Sequence, residues 1–391
     1  MKILMTCGGT GGHINPAIAI ADTIKANIPD SEFLFVGTKR GLESELVPEA
    51  GYDLRFVESM GFERSLSPKN IKALYLALFS PHMKSTKKII SDFRPDVVVG
   101  TGGYACWPIM KAAYNMGIPT VIHESNACPG VAVKRLQNSC DMILTCYDDT
   151  AQSLRKDCRH KVVKAGNPIR GRFCTVSRQE ARKRLGIPDE IKYTVISYGG
   201  SGGADVLNDV SALFVRDFVS KHSEIMFVHA TGTRRYESAL KRFSELGVDL
   251  GKLPNVKIMS YIHDMPLYMA AADVVIARSG AMTLTELADM GKASILIPSP
   301  NVANDHQFKN AQLLASRAAA VVIRESSLTC ERLTHEVCGL IGYDMQKEKY
   351  SDHDSKINLM QKNISEFACH DANKKIYRLI VELASKKAKK I

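Results

Sequence analysis

Two glycine runs stand where chemistry could be done. Gly8-Gly9-Thr10-Gly11-Gly12-His13 follows the apolar run Lys2–Cys7, and Gly199-Gly200-Ser201-Gly202-Gly203-Ala204 follows Tyr193–Tyr198. A glycine loop between a strand and a helix lets the backbone come close to a ligand. The helix behind it turns unpaired N–H groups and the positive end of its dipole toward an anion. Neither run ends in the Gly-Lys-Ser/Thr of an ATP-binding loop, and neither fits G-x-G-x-x-G. Phe33–Val36 ends in Gly37-Thr38, with no acid placed for an adenine ribose, so NAD binding is disfavoured. His13, at the head of the first helix, carries an imidazole that can take a proton near neutral pH. The alternative is a histidine that only bonds within its turn. Glu124 is a lesser candidate base. Ser279, Thr283 and Glu286 are spaced to share one face of a helix that follows Asp273–Ala277. Its N–H groups could meet an anion while Glu286 accepts from hydroxyls. The alternative is a capping box, Thr283-x-x-Glu286, with only structural work to do.

The elements that must position these groups are short apolar runs alternating with helical stretches. The runs are Ile3–Thr6, Phe33–Val36, Asp96–Gly100, Pro119–His123, Met142–Thr145, Tyr193–Tyr198, Ile225–Ala230, Val256–Ser260, Asp273–Ala277 and Ser294–Pro298. Several are continuously apolar, as parallel strands buried on both faces must be. Alternation of strand and helix signals α/β layers. With 391 residues the chain is too long for one ordinary core. The strand, glycine loop and helix recur in its second half, so two Rossmann-like domains are expected. The predicted boundaries are 1–170, 171–345, and 346–391 for a polar linker and a last helix that crosses back to the first domain. A linker is expected near Arg170–Thr175.

At this point a resemblance becomes specific. Gly8–Pro16, Gly102-Gly103-Tyr104, His123-Glu124-Ser125-Asn126, Gly166–Arg170, Gly199–Ala204, Arg278–Glu286 and Asp305–Ala311 resemble, in order, the motifs of the family 28 glycosyltransferases that build the bacterial cell wall. The resemblance covers roughly residues 1–325 and implies the GT-B fold, with two parallel-sheet domains facing across a cleft. It implies inverting transfer of N-acetylglucosamine from UDP-N-acetylglucosamine to the 4-hydroxyl of a lipid-linked muramyl-pentapeptide diphosphate. Glu286 would then accept from the ribose hydroxyls, and Ala281, Met282, Thr283, Leu284 and Thr285 would touch sugar and phosphate. Thr10, Gly11 and Gly12 would form the first loop of the site. Arg170, a forked donor, and Ser201 would meet the uridine-diphosphate half. Ile262 would hold the uracil through its backbone. Asn126 and Gln307 would read sugar hydroxyls, with His306 helping. Two positions depart from the family pattern, since Ser125 and Gly202 stand where glutamine is usual.

The remaining expectations concern surroundings. Ile71, Leu74, Tyr75, Leu76, Leu78 and Phe79 would make a helix apolar almost all round. Lys84, Lys87 and Lys88 lie among the basic residues that flank it. Together they suit a patch resting on the anionic inner leaflet at the cytoplasmic face of the cell membrane; the alternative is a buried core helix. No run approaches the ~18–20 apolar residues needed to span a bilayer. The net charge of +11 favours anionic partners. Nucleic acid lacks support, with one Trp and no aromatic–basic interleaving. No cofactor or metal is expected. The Asp352-His353-Asp354 spacing falls in a polar stretch and reads as a solvated turn, and the ten scattered cysteines read as reduced thiols. The end, Lys386–Lys390, reads as a frayed tail. Rival readings are a glycolipid synthase acting on diacylglycerol, a UDP-N-acetylglucosamine 2-epimerase of the same fold, and a non-catalytic nucleotide-sugar scaffold.

Overall fold

In a computed structural model, the structure describes residues 1–57, 81–170, 176–351 and 355–388. Ile71–Phe79, Asp352–Asp354 and most of the expected linker lie outside the described residues. Two compact units are formed, Met1–Arg170 with Cys369–Ile391, and Gly171–Ala368.

The first unit is built on a seven-stranded parallel sheet. Its strands are β1 (Lys2–Thr6), β2 (Glu32–Gly37), β3 (Leu54–Phe56), β4 (Val97–Gly100), β5 (Thr120–Glu124), β6 (Met142–Thr145) and β7 (Val162–Lys164), in the spatial order 3-2-1-4-5-6-7. The central strands are buried on both faces, which is why β1 and β4 read as unbroken apolar runs. The order reverses beside β1, and ligands of open α/β sheets bind at the carboxyl ends of strands at such a switch point. The first glycine loop lies there. The helix Gly11–Asn27 that follows buries Ile14, Ala17, Ile18, Ala21 and Ile24 and stops just before Pro29. The helix Ala372–Ala388 packs on it, with Ile376 and Ile380 fully or almost fully buried. Asn373 clamps this return: its amide nitrogen donates to Thr23 Oγ1 at 3.0 Å and to the Ile169 carbonyl at 2.9 Å, and its oxygen accepts from Ile169 N at 2.9 Å. The lysine-rich end is not wholly frayed. Helix continues to Ala388, with Lys386 2.5 Å from Glu382 one turn back.

The second unit repeats the plan with six parallel strands. These are β8 (Tyr193–Tyr198), β9 (Ile225–Ala230), β10 (Val256–Met259), β11 (Val274–Ala277), β12 (Ala293–Leu296) and β13 (Val321–Val322), in the order 10-9-8-11-12-13. The second glycine loop leaves the carboxyl end of β8 at the β8–β11 reversal and enters the helix Asp205–Asp217. Gly203 sits at φ +69°, where a Cβ would drive into the carbonyl of Thr231. Gly200 is also left-handed, at φ +85°, but nothing lies within 4 Å of its would-be Cβ.

These two glycines separate strain from contact. Gly200→Ala carries only the left-handed penalty, about 1–2 kcal/mol. Gly203→Ala carries that and forces the Gly203 and Thr231–Gly232 segments apart. In paired thermal melts, Gly203→Ala should lower Tm at least twice as far as Gly200→Ala. Equal shifts would mean that the close approach carries no weight.

Candidate functional site

In the first unit, Thr10 is the residue before the helix. Its carbonyl accepts from His13 N at 3.0 Å and Ile14 N at 3.2 Å, and its own side chain caps nothing. Gly11 and Gly12 form the first helical turn. His13 Nδ1 lies 3.1 Å from the Gly8 carbonyl. A carbonyl can only accept, so Nδ1 carries a proton, and in the neutral ring the lone pair is then on Nε2. That is the tautomer a general base needs. Gly102 exists for this ring. At φ +110°, a Cβ there would stand 2.6 Å from the His13 Cδ2 and 2.9 Å from Nε2.

Glu43 supports the same loop from below, a role the sequence reading missed. It is fully buried and accepts from Gly9 N at 2.9 Å, from Thr38 N at 2.8 Å and from Thr38 Oγ1 at 2.7 Å. Burial pushes its carboxyl up, but these hydrogen bonds outweigh burial and hold it below the usual range. Glu124 is similarly committed. Its carboxylate accepts from Asn126 N at 2.9 Å, Asn126 Nδ2 at 3.0 Å and Gly130 N at 2.6 Å. It is buried, and desolvation raises its pKa. Its place is under Asn126, which it orients. Ser125 is buried beside His123, whose Nε2 donates to the Gly166 carbonyl at 2.9 Å. Arg170 closes this unit, with Nε donating to Asp22 at 3.2 Å.

In the second unit a hollow of about 390 Å³ opens at the carboxyl ends of the strands. It is lined by the second glycine loop, Asp205, Arg235, Arg278, Thr283 and Gln307, among others. Ser201 is exposed on that loop, and Ile262 is buried. The helix over the hollow begins at Ala281, with Gly280 before it and no side-chain cap. Thr283 therefore lies inside the helix, and no Thr283–Glu286 capping box exists. Ser279 precedes the helix, and its hydroxyl donates to the Gln307 carbonyl at 2.9 Å. The Gln307 side-chain oxygen accepts from Ser299 N at 2.9 Å. Leu284 and Thr285 face inward, Thr285 bonding back to the Ala281 carbonyl at 2.9 Å, while Met282 and Glu286 are half-buried. His306 opens the helix His306–Ala315. Arg278, Arg235 and Asp205 were not singled out from sequence as ligand-side residues. Arg235 follows the Gly232 turn after β9, a weak signal in a chain rich in arginine. A wider hollow of about 470 Å³ beside Leu250 has Asp249 as the only ionisable residue in its lining and offers no catalytic grouping.

Known proteins fit this geometry. Residues 3–145 match the glycosyltransferase family 28 N-terminal domain, and residues 194–368 match the family 28 C-terminal domain. A transferase of Acetivibrio thermocellus is 41% identical over 99% of this chain and 100% of its own length. It is named UDP-N-acetylglucosamine--N-acetylmuramyl-(pentapeptide) pyrophosphoryl-undecaprenol N-acetylglucosamine transferase. The chain belongs to the MurG family. The crystal structure of Acinetobacter baumannii MurG is similar in fold, with a TM-score of 0.72 at 22% identity, covering 97% of this chain and 99% of that one. A UDP-GlcNAc 2-epimerase of Neisseria meningitidis has the same fold at TM-score 0.63 and 14% identity, covering 99% and 100%. Fold alone therefore does not choose between transferase and epimerase.

Within this MurG-family site, Glu286 is the group under most tension. Burial pushes its carboxyl up to about 7, and the neighbouring Asp289 adds to the shift. Burial, with Glu286 nearby, also raises the phenol of Tyr198 at the end of β8. The sign for stability follows. Unfolded Glu286 ionises near its ordinary 4.5, whereas the folded group holds its proton to about 7. The folded state is thus penalised progressively as pH rises from 4.5 to 7, and by a constant amount above. Glu286→Gln should raise Tm at pH 8 relative to wild type and leave it unchanged at pH 4. Tm measured at the two pH values checks this, and an equal shift at both would place Glu286 in an unperturbed environment.

Proposed function

We propose that this chain moves N-acetylglucosamine from UDP-N-acetylglucosamine to the 4-hydroxyl of a lipid-linked N-acetylmuramyl pentapeptide diphosphate. The observation that carries this is the full-length identity with a relative of that activity. The acceptor oxygen attacks the anomeric carbon as the bond from that carbon to the UDP oxygen breaks, inverting the centre. His13 Nε2 takes the hydroxyl proton, with its ring held by the Gly8 carbonyl and the space left by Gly102. UDP leaves with its negative charge against helix N–H groups. Ser201, the Ile262 backbone and residues Ala281–Glu286 bind the donor, and Glu286 accepts from the ribose. Gln307 and Asn126 read the sugar, each with its amide oriented by a neighbour, Ser299 and Glu124 respectively. Arg170 and the Thr10–Gly12 turn complete the contacts.

Ribose hydroxyls donate most strongly to an ionised Glu286, because a protonated carboxyl still accepts through its carbonyl oxygen but loses the charge and an acceptor site. With the carboxyl titrating near 7, about one-tenth is ionised at pH 6 and nine-tenths at pH 8. Donor affinity should rise across that range by up to about tenfold, and Glu286→Gln should flatten the profile. The assay is UDP release with a short-chain lipid-linked acceptor, run with and without acceptor. Epimerisation of the donor with no acceptor present would favour the epimerase instead.

The lipid of the acceptor stays in a bilayer, so the enzyme must come to the surface. No helix among the described residues is long and apolar enough to cross a membrane. On the helix Pro81–Phe93, Thr86 and Ile90 are buried while Lys84, Lys87 and Lys88 are exposed. Together with Ile71–Phe79 they would dock on an anionic leaflet. Each lysine near such a surface contributes on the order of 1 kcal/mol, a term that salt weakens. Replacing all three by Gln should reduce co-sedimentation with anionic vesicles at low salt, with little difference at high salt. Turnover of a soluble acceptor should stay at the wild-type level. Undiminished low-salt binding would move the docking patch elsewhere.

A further inference from the structure

Two arginines line the hollow in the second unit, and they are in different states. Arg278 is spent on the wall. It pairs with Glu325 and donates to the Ile297 carbonyl at 3.1 Å, and the two paired side chains are only 14% and 19% exposed. Its charge is cancelled locally. Arg235 lies across the second glycine loop. One terminal nitrogen donates to the Gly202 carbonyl, and Nε donates to Asp205 at 2.6 Å. The side chains of Arg235 and Asp205 are 35% and 70% exposed, so the pair is well hydrated and weakly held. A guanidinium has five N–H donors in a fixed fork, and these two bonds occupy only part of it. Beneath it the loop is open: would-be Cβ atoms at Gly200 and Gly202 have nothing within 4 Å. The helix entered at Asp205 has no side-chain cap, so its first N–H groups also face the loop.

We propose that Arg235 is a binding residue for the diphosphate of the nucleotide donor, held ready by Asp205 and shifted onto the phosphates when they arrive. The proposal rests on the donor reading given above. The Gly202 carbonyl sets the plane of the fork, and Asp205 keeps it over the loop while the hollow is empty. Phosphate oxygens, carrying more charge and accepting in pairs, displace the exposed carboxylate. Once they are bound, Asp205 is a like charge near the ligand. Removing Arg235 should therefore weaken the nucleotide, and removing the charge of Asp205 should not.

Calorimetric titration with UDP tests this, with ligand-observed NMR for uridine, on wild type, Arg235→Gln and Asp205→Asn. Arg235→Gln should raise the Kd for UDP by on the order of tenfold or more and leave uridine affinity and Tm unchanged. Asp205→Asn should bind UDP as tightly as wild type or more tightly. Wild-type UDP affinity in Arg235→Gln would overturn the proposal alone. Equal losses in the two variants would also overturn it, by showing that the pair is only a tie within the fold. Failure of the wild-type protein to bind UDP would overturn the donor reading, and this proposal with it.

Discussion

Backbone pressed against backbone is the constraint on which both units depend. In the first, Gly103 at φ +89° turns its missing side chain onto Gly8, so the two glycine segments touch main chain to main chain. In the second, Gly203 meets Thr231 and Gly232 in the same way. Each contact ties the loop after one strand to the segment after its neighbour, β1 to β4 and β8 to β9. A side chain at either place would push the loops apart, and everything mounted on them would move. The polar groups behind the second contact are arranged to hold it. Asn208 donates to the Thr231 carbonyl at 3.1 Å and bonds His229 at 3.0 Å, both deep in the core. Burial keeps His229 neutral by lowering its pKa to about 4. A charged imidazole there would have no counter-ion.

The two loops share geometry and differ in charge. Beneath the first lies the buried Glu43 carboxylate, which already takes the Gly9 N–H. Across the second lies the Arg235 guanidinium, with the Asp205 carboxylate beside it. A loop with an acid below it is a poorer home for phosphate than one with a forked cation above it, because burial strengthens the field of an unscreened charge. The first loop is better suited to fixing His13, whose ring it grips through the Gly8 carbonyl. On the proposed reading, the repeated fold is divided into a proton-handling end and an anion-handling end by two side chains that lie outside the glycine motifs.

How much of this was legible beforehand varies with the physics. All ten strands expected from apolar runs are present within a residue or two, because strands covered on both faces must be apolar throughout. Of the strands not foreseen among the described residues, Leu54–Phe56, Val162–Lys164 and Val321–Val322 are short edges of the two parallel sheets, and Tyr343–Asp344 and Lys349–Tyr350 pair with each other alone. With two or three residues and one open side, they leave no hydrophobic signature. Within the site, motif segments identified the glycine loops and the helix Ala281–Asp289. Sequence could not say that Glu124 is consumed in orienting Asn126, because its partners are main-chain groups that no residue type announces. Nor could it separate a capping box from a mid-helix carboxylate. That depends on whether the helix begins at Ala281 or at Thr283, and boundaries are the least readable feature of a sequence. Arg235 and Glu43 escaped for a related reason, since each acts on a loop 33 or 34 positions away.

Glu286 shows why a site of this kind is built at the expense of the empty fold. A carboxyl that titrates near 7 has lost part of its hydration and been left near another acid, Asp289. No cation among the causes of its shift answers that charge, whereas Glu43 and Glu124 each have main-chain donors. The helix itself offers no relief, since Glu286 lies beyond its first turn, where the backbone N–H groups are already bonded. Placing an arginine beside Glu286 would stabilise the empty protein, but it would also occupy the oxygens that the proposed ribose contacts need. The unanswered carboxylate and the weakly tied Arg235 are the same device with opposite signs. Each is a charge left incompletely satisfied in the fold, and on the proposed reading the donor's hydroxyls and phosphates complete it.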